Sequence, residues 1–246
     1  MIHFLLFFLF ALSTDPQCLN AGPSEAAVIH DPEPAMGASL IGGWDSHYVL
    51  EGRDTLEGDS LWSYTLEGTY KNWTAWFWHA ESPDVDFTEL NVGIEYGLSV
   101  GDWDLYASYL HLQFLTDEDQ DHEFGFGVAY NGLPWGIVPA VDWYHSIEAN
   151  GSYTALSVSR EMEVCEGLVL TPSIFGGFNS GYLSDGHRGS DHVATMLEAA
   201  VPLSERLEFG AYLAYSWAVD RDVATFEEDA ALIDFLYGGA AFTLSF

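Results

Sequence analysis

From Gly37 to Phe246, apolar and polar residues alternate with a period of two in runs of about ten, and no stretch holds the 3.6-residue period of an amphipathic helix for long. The pattern predicts about twelve β-strands, at 38–50, 60–70, 72–80, 87–99, 103–115, 122–131, 135–146, 151–161, 166–178, 191–202, 205–219 and 232–246. The connections alternate in length. Short ones fall at Lys71-Asn72, Val100-Gly101-Asp102, Asn131-Gly132-Leu133-Pro134, Cys165-Glu166-Gly167 and Pro202-Leu203-Ser204-Glu205. Longer polar ones fall at 51–59, 81–86, 116–121, 147–150, 179–190 and 220–231. A soluble sandwich has no reason to sort its connections this way. An up-and-down barrel inserted from one side of a membrane does. The expected fold class is all-β: a membrane-spanning, up-and-down antiparallel β-barrel over residues 37–246.

Within each run, one face carries the bulk. Phe124, Phe126, Val128 and Tyr130 oppose Glu123, Gly125, Gly127 and Ala129; Leu207, Phe209, Ala211, Leu213, Tyr215 and Trp217 oppose Glu208, Gly210, Tyr212, Ala214 and Ser216. Aromatic residues mark both ends of the apolar face, as in Trp62 with Tyr70, Phe124 with Tyr130, and Trp135 with Trp143, and Trp217 belongs to the same set. Eight residues at roughly 3.3 Å each, tilted by about 40°, cover about 20 Å, close to the apolar band between two aromatic girdles. Tyr and Trp suit that boundary because the ring is apolar and its polar atom seeks water. The last run puts Leu236, Gly238, Ala240, Phe242, Leu244 and Phe246 on one face, and an alternating strand ending in Phe is what an outer-membrane barrel presents to its assembly machinery. Two runs are irregular. In 103–115 the apolar parity switches from Trp103, Leu105 and Tyr109 to Leu110, Leu112 and Phe114, which a bulge near Tyr109 or an apolar patch inside the barrel would each explain. The run 72–80 is aromatic on both faces and has no evident orientation.

Ahead of the barrel, Phe4–Leu12 is an apolar run too short to cross a bilayer as a helix, and it fits the core of a secretory signal peptide spanning 1–21. Residues 22–36 hold three prolines and read as an extended segment. Removal of Cys18 with the signal would leave Cys165 without an internal partner.

The chain has 38 acidic and 6 basic residues, a formal net charge of −32. That excludes nucleic acid as a natural partner, which needs clustered Lys and Arg. Disorder is excluded by 9 Trp, 13 Tyr and 16 Phe. Many acids fall in the longer connections, densest at Asp117, Asp119, Asp121 and Glu123 and again at Glu227-Glu228-Asp229. A solvated loop surface accounts for them, and the first four are also candidate Ca²⁺ ligands. A second set lies inside the strands, opposite the apolar face: Asp45, Glu67, Glu89, Glu95, Asp104, Asp142, Glu198 and Glu208. These should point into the barrel, since charges on the lipid side are costly. Few cations accompany them, so the lumen should be wet and should favour cations over anions. Twelve or so strands would leave a narrow or partly plugged pore.

Two alternatives to a channel stand: a structural or adhesive barrel without transport, and a barrel-embedded lipid-modifying enzyme, whose one foothold is His145-Ser146 with Asn150 nearby. Adjacent strand residues point to opposite faces, so those two cannot be direct partners. His79, His111, His122, His187 and His192 are scattered singly and read as loop or rim histidines. No cofactor and no catalytic residue is expected.

The run Gly42-Gly43-Trp44-Asp45-Ser46-His47-Tyr48-Val49-Leu50 resembles the opening strand of the TorF-type porin family. Trp73-Thr74-Ala75-Trp76-Phe77, Gly151-Ser152-Tyr153 and the Gly-rich last strand resemble it as well. That family commonly places Arg after the Tyr-Val pair, where this chain has Leu50 and Glu51, with Arg53 following. The resemblance implies an outer-membrane barrel of a Gram-negative bacterium. Its partners would be the surrounding lipids, the assembly machinery at the last strand, and small cationic or neutral solutes. It implies no catalytic residues.

Overall fold

The computed structural model describes residues 36–246. The expected signal peptide and all of the extended segment except Met36 lie outside the described residues. The strands are β1 (Met36–Asp45), β2 (Val49–Leu50), β3 (Arg53–Asp54), β4 (Leu61–Tyr70), β5 (Trp73–Glu81), β6 (Thr88–Val100), β7 (Trp103–Phe114) and β8 (Asp119–Tyr130). They continue as β9 (Ile137–Ser146), β10 (Gly151–Arg160), β11 (Met162–Cys165), β12 (Leu168–Ser180), β13 (Gly189–Pro202), β14 (Leu207–Ala218) and β15 (Phe235–Ser245). Twelve of them form the wall. Each pairs antiparallel with its neighbours in chain order, β15 closes on β1, and β10 joins β12. The short β11 extends the line of β10 along the edge of β12. Closure leaves none of the twelve wall strands with an unpaired edge, and within that sheet only the short β11 pairs on one side alone.

The alternation in sequence is the alternation in space. Along β4, Trp62, Tyr64, Leu66, Gly68 and Tyr70 are exposed, while Ser63, Thr65, Glu67 and Thr69 are partly covered. The exposed set faces outward around the whole barrel and includes Leu40, Ile94, Leu156, Ile174, Leu197, Leu213 and Phe242. Tight turns close one end, such as Lys71-Asn72 between β4 and β5; Lys71 takes φ 56° there. Longer connections gather at the other end.

Both irregular strands resolve. The pairing of β7 with β6 and β8 runs without a register shift, so there is no bulge at Tyr109. Leu110, Leu112 and Phe114 point inward and form an apolar patch with Trp76 and Trp78 of β5. That contact orients β5, with Phe77 and His79 outward and stacked beside Tyr64 of β4.

The largest departure is at the end of the first strand. The sequence pattern carries it through Leu50, but the sheet ends at Asp45. Ser46 turns the chain: its N–H donates to Gly238 O at 2.8 Å, and its Oγ accepts from Gly238 N at 3.0 Å. The segment 46–60 then folds into the barrel mouth as the β2–β3 hairpin, turning at Glu51 (φ 45°) and Gly52 (φ 76°). Burial drives this. Tyr48 and Leu50 join Leu61, Ala80 and Phe87 in one apolar cluster, and Val49 joins Ala214, Phe235 and Tyr237 in another.

Candidate functional site

Two regions of the interior differ in character. Toward the tight turns the wall carries acids and hydroxyls. Toward the loops the mouth is filled by the hairpin, by 181–188 and by 219–234.

The strand acids occupy the inner parity. Asp45, Glu67, Glu95 and Asp142 are partly covered, Glu89 is fully buried, and Glu198 and Glu208 are exposed nearer the turn end. Asp104 lies at the turn rim, accepting hydrogen bonds from Ser99 Oγ at 2.5 Å and Asn131 Nδ2 at 2.6 Å. Two acids are held by tyrosines that reach across an intervening strand. Tyr106 of β7 donates to Asp142 of β9 at 2.8 Å, over Gly127 of β8. Tyr212 of β14 donates to Asp45 of β1 at 2.7 Å, over Gly239 of β15. A Cβ at Gly127 would overlap the Tyr106 ring, and one at Gly239 would overlap the Asp45 carboxylate. Glycine at those two positions is therefore what lets the rings lie along the wall.

Arg53 is the charged anchor of the hairpin. Arg53, 2% exposed, donates to Asp191 Oδ2 at 2.8 Å and to Asp229 Oδ1 at 2.9 Å, and further to the carbonyls of Glu51 and Glu228. His187 completes the group. Its Nδ1 lies 2.7 Å from Asp229 Oδ2 and its Nε2 lies 3.0 Å from Ser190 O. Both ring nitrogens face acceptors, which is the pattern of a doubly protonated imidazolium. Burial alone would lower the His187 pKa, but the Ser190 carbonyl and the Asp229 carboxylate prevail and hold it above the ordinary value. Burial likewise opposes ionisation of Asp229, yet the N–H groups of Asp222 and His187 and the Arg53 guanidinium hold its pKa below the usual range. Two cations thus meet two carboxylates. Asp191 reaches this group because β13 bulges: Gly177 faces His192 and Phe178 faces Ser190, leaving Asp191 as the extra residue.

Beside the latch lies a tyrosine cluster. Tyr144, Tyr153 and Tyr182 pack ring against ring, with Tyr144 and Tyr182 edge-on at 4.9 Å. Tyr144 donates to Glu51 Oε1 at 2.6 Å, Tyr182 to Glu123 Oε1, and Tyr48 to Glu89 Oε2 at 2.6 Å. Burial, opposed by the Tyr144 hydrogen bond and reinforced by Glu123, pushes the Glu51 pKa well above the carboxylate range.

The loop acids divide. Asp117 lies in the exposed β7–β8 turn and Asp119 is exposed at the start of β8, whereas Asp121 and Glu123 are buried on its inner face. Among the described residues no three carboxylates, imidazoles or thiols converge as ligands for one metal ion. Asp229, expected at a solvated surface, is fully buried, as Arg53 requires. His187 and His192, expected at a loop or rim, are also buried; a Cβ at Gly52 would overlap the His192 ring. His145 points outward with Nδ1 3.0 Å from Ser152 Oγ, while Ser146 is buried on the opposite face and caps the Ala149 N–H at 2.9 Å. Sequence patterning missed the latch. Its one visible sign was Arg53, an isolated cation in an acidic segment.

The aromatic residues of the outer face fall in two rows. Near the turns lie Tyr70, Trp73, Tyr96, Trp103 and Tyr130, with Phe246 at the chain end and Trp135 in the β8–β9 connection. Nearer the loops lie Trp44, Trp62, Tyr109, Phe124, Trp143 and Trp217.

No family model matches the chain, and no curated protein matches it by sequence. Solved structures match the fold. The KdgM porin is similar with a TM-score of 0.59 at 6% identity, covering 85% of this chain and 99% of that one. An outer membrane channel from Pseudomonas putida F1 is similar with a TM-score of 0.56 at 10% identity, covering 91% and 100%. The NanC porin gives 0.54 at 7% identity, covering 84% and 98%. At these identities the likeness is one of fold.

Proposed function

We propose that this chain is an outer-membrane diffusion channel that favours small cations and is restricted at its loop end by the docked hairpin. One observation carries the reading: the closed barrel exposes an apolar outer wall while its inner wall carries Asp45, Glu67, Glu95, Asp142 and Glu198. An apolar band between aromatic rows suits lipid, and carboxylates along a wet passage attract cations and repel anions. The fold likeness to porins and to a bacterial outer-membrane channel supports this reading, as do the short runs resembling TorF-type porins. By analogy with such barrels the tight turns face the periplasm and the hairpin faces outward. Residues 1–21 would act as the export signal.

The packed mouth favours a second reading, a structural barrel without transport. Incorporation of the purified protein into planar bilayers separates the two. Discrete conductance steps support the channel, and silent insertion supports the structural barrel. Retention with the outer membrane after salt washing, with a mobility shift on heating, tests the membrane assignment itself.

A further inference from the structure

The two halves of the plugged mouth are balanced differently. On one side Arg53 and His187 neutralise Asp191 and Asp229. On the other, Glu51 and Glu123 are 1% and 2% exposed, and among the described residues neither carboxylate forms an ion pair: Arg53 bonds the Glu51 backbone carbonyl and acts on the Glu51 carboxylate only from a distance, its ion pairs going to Asp191 and Asp229. Each has one oxygen satisfied, by Tyr144 and Tyr182 respectively. The other oxygens, Glu51 Oε2 and Glu123 Oε2, are buried with no donor. A third buried acceptor without a donor is the carbonyl Oδ1 of Asn91, whose Nδ2 donates to Glu89 Oε1 at 2.9 Å. Glu89 itself is satisfied at both oxygens, by Tyr48 and Asn91. Orphan buried acceptors and unpaired buried carboxylates are each costly, and they invite a positive ligand.

We propose that the docked hairpin closes over a divalent cation of the calcium type, held between Glu51 and Glu123. Two carboxylates balance its charge, and the hydroxyls of Tyr144 and Tyr182, whose rings touch and which each bond one of the two carboxylates, are neutral oxygens of the hard kind such an ion takes. Glu51 sits at the hairpin tip and Glu123 on the β8 wall, so occupancy ties the plug to the barrel. This rests on reading the barrel as a channel, and makes the hairpin a plug that divalent cations hold shut.

The test uses the full barrel in detergent, stripped with EDTA and titrated with Tb³⁺, whose emission neighbouring tyrosines sensitise, then back-titrated with Ca²⁺. The expected result is one saturable class of site displaced by Ca²⁺, weakened roughly tenfold or more in Glu51→Gln with Glu123→Gln and unchanged in Asp117→Asn with Asp119→Asn. If the double variant does not fold, Glu51→Gln alone, off the barrel wall, gives the same reading. The proposal falls if the wild type shows no saturable site, if the glutamine variants bind as the wild type does, or if the Asp117/Asp119 variant abolishes binding. Reversal potentials on the same preparation read ion preference separately. Anion preference would sink the channel and leave the binding result standing, and absent binding would leave a measured cation preference standing.

Discussion

Arg53 and Asp229 are 176 positions apart, yet the Arg53 Nη2 lies 2.9 Å from the Asp229 Oδ1 in a setting where both side chains are buried. That bond ties the first long connection of the barrel to the last. With Asp191 on the wall, it holds the β2–β3 hairpin across the mouth.

Removing the guanidinium should release the hairpin. Arg53→Ala leaves Asp191 and Asp229 buried without their shared cation, a change that costs about 3–5 kcal/mol when a buried pair is broken. The expected outcome is a larger single-channel conductance, with the barrel still heat-modifiable. Arg53→Lys should fall between, since an ammonium cannot span two carboxylates as the fork does.

The latch should also respond to pH from both sides. Asp229 has a lowered folded pKa, so its contribution is present above the ordinary carboxylate range and is lost as pH falls through that lowered value. His187 has a raised pKa, so its contribution is full below the ordinary imidazole value and is lost as pH rises through the raised one. In EDTA, with no divalent cation bound, Glu51, raised by burial beside Glu123, acts in the same direction as His187; a bound cation would oppose it, so the pH profile is taken in EDTA. The hairpin should therefore be held most firmly at mildly acidic pH. Open probability measured against pH should pass through a minimum there, and a minimum under alkaline conditions would contradict the account.

The strand-spanning tyrosines depend on the glycines beneath them. Gly127→Ala should displace Tyr106 and break its bond to Asp142, and Gly239→Ala should do the same to Tyr212 and Asp45. Overpacking of this kind costs about 1–3 kcal/mol. Urea titration of the refolded barrel should show the loss, and alanine at the open outward position Gly68 should not.

The outer wall is tested at Leu213, which is 57% exposed in the middle of β14. Leu213→Arg should cost about 2–4 kcal/mol if that position meets the bilayer centre. Thr243→Arg, on the inner face of β15, should assemble normally. Equal assembly of the two variants in lipid vesicles would contradict the membrane reading.

The wall was legible in sequence because a period of two is a local property. Each of the residues Trp62 to Tyr70 announces its face through its neighbours, and the alternation of short and long connections orders the strands. What was not legible depends on distant partners. Nothing near Val49 and Leu50 tells an extended strand from a hairpin, because the deciding contacts lie on β14 and β15 and at Leu61, Ala80 and Phe87. The extra residue Asp191 is invisible to a parity count, since a bulge shows only against its partner strand. Trp76 and Trp78 looked ambiguous because the interior carries an apolar patch of its own, built with Leu110 and Leu112.

The central claim is that the acid-lined interior conducts and selects for cations. Reversal potential across a planar bilayer under a KCl gradient tests it directly, with the wild type beside a variant carrying Glu67→Gln, Glu95→Gln, Asp142→Asn and Glu198→Gln. The account predicts clear cation preference in the wild type and loss of most of it in the variant. Anion preference in the wild type, or equal preference in the two proteins, would contradict it.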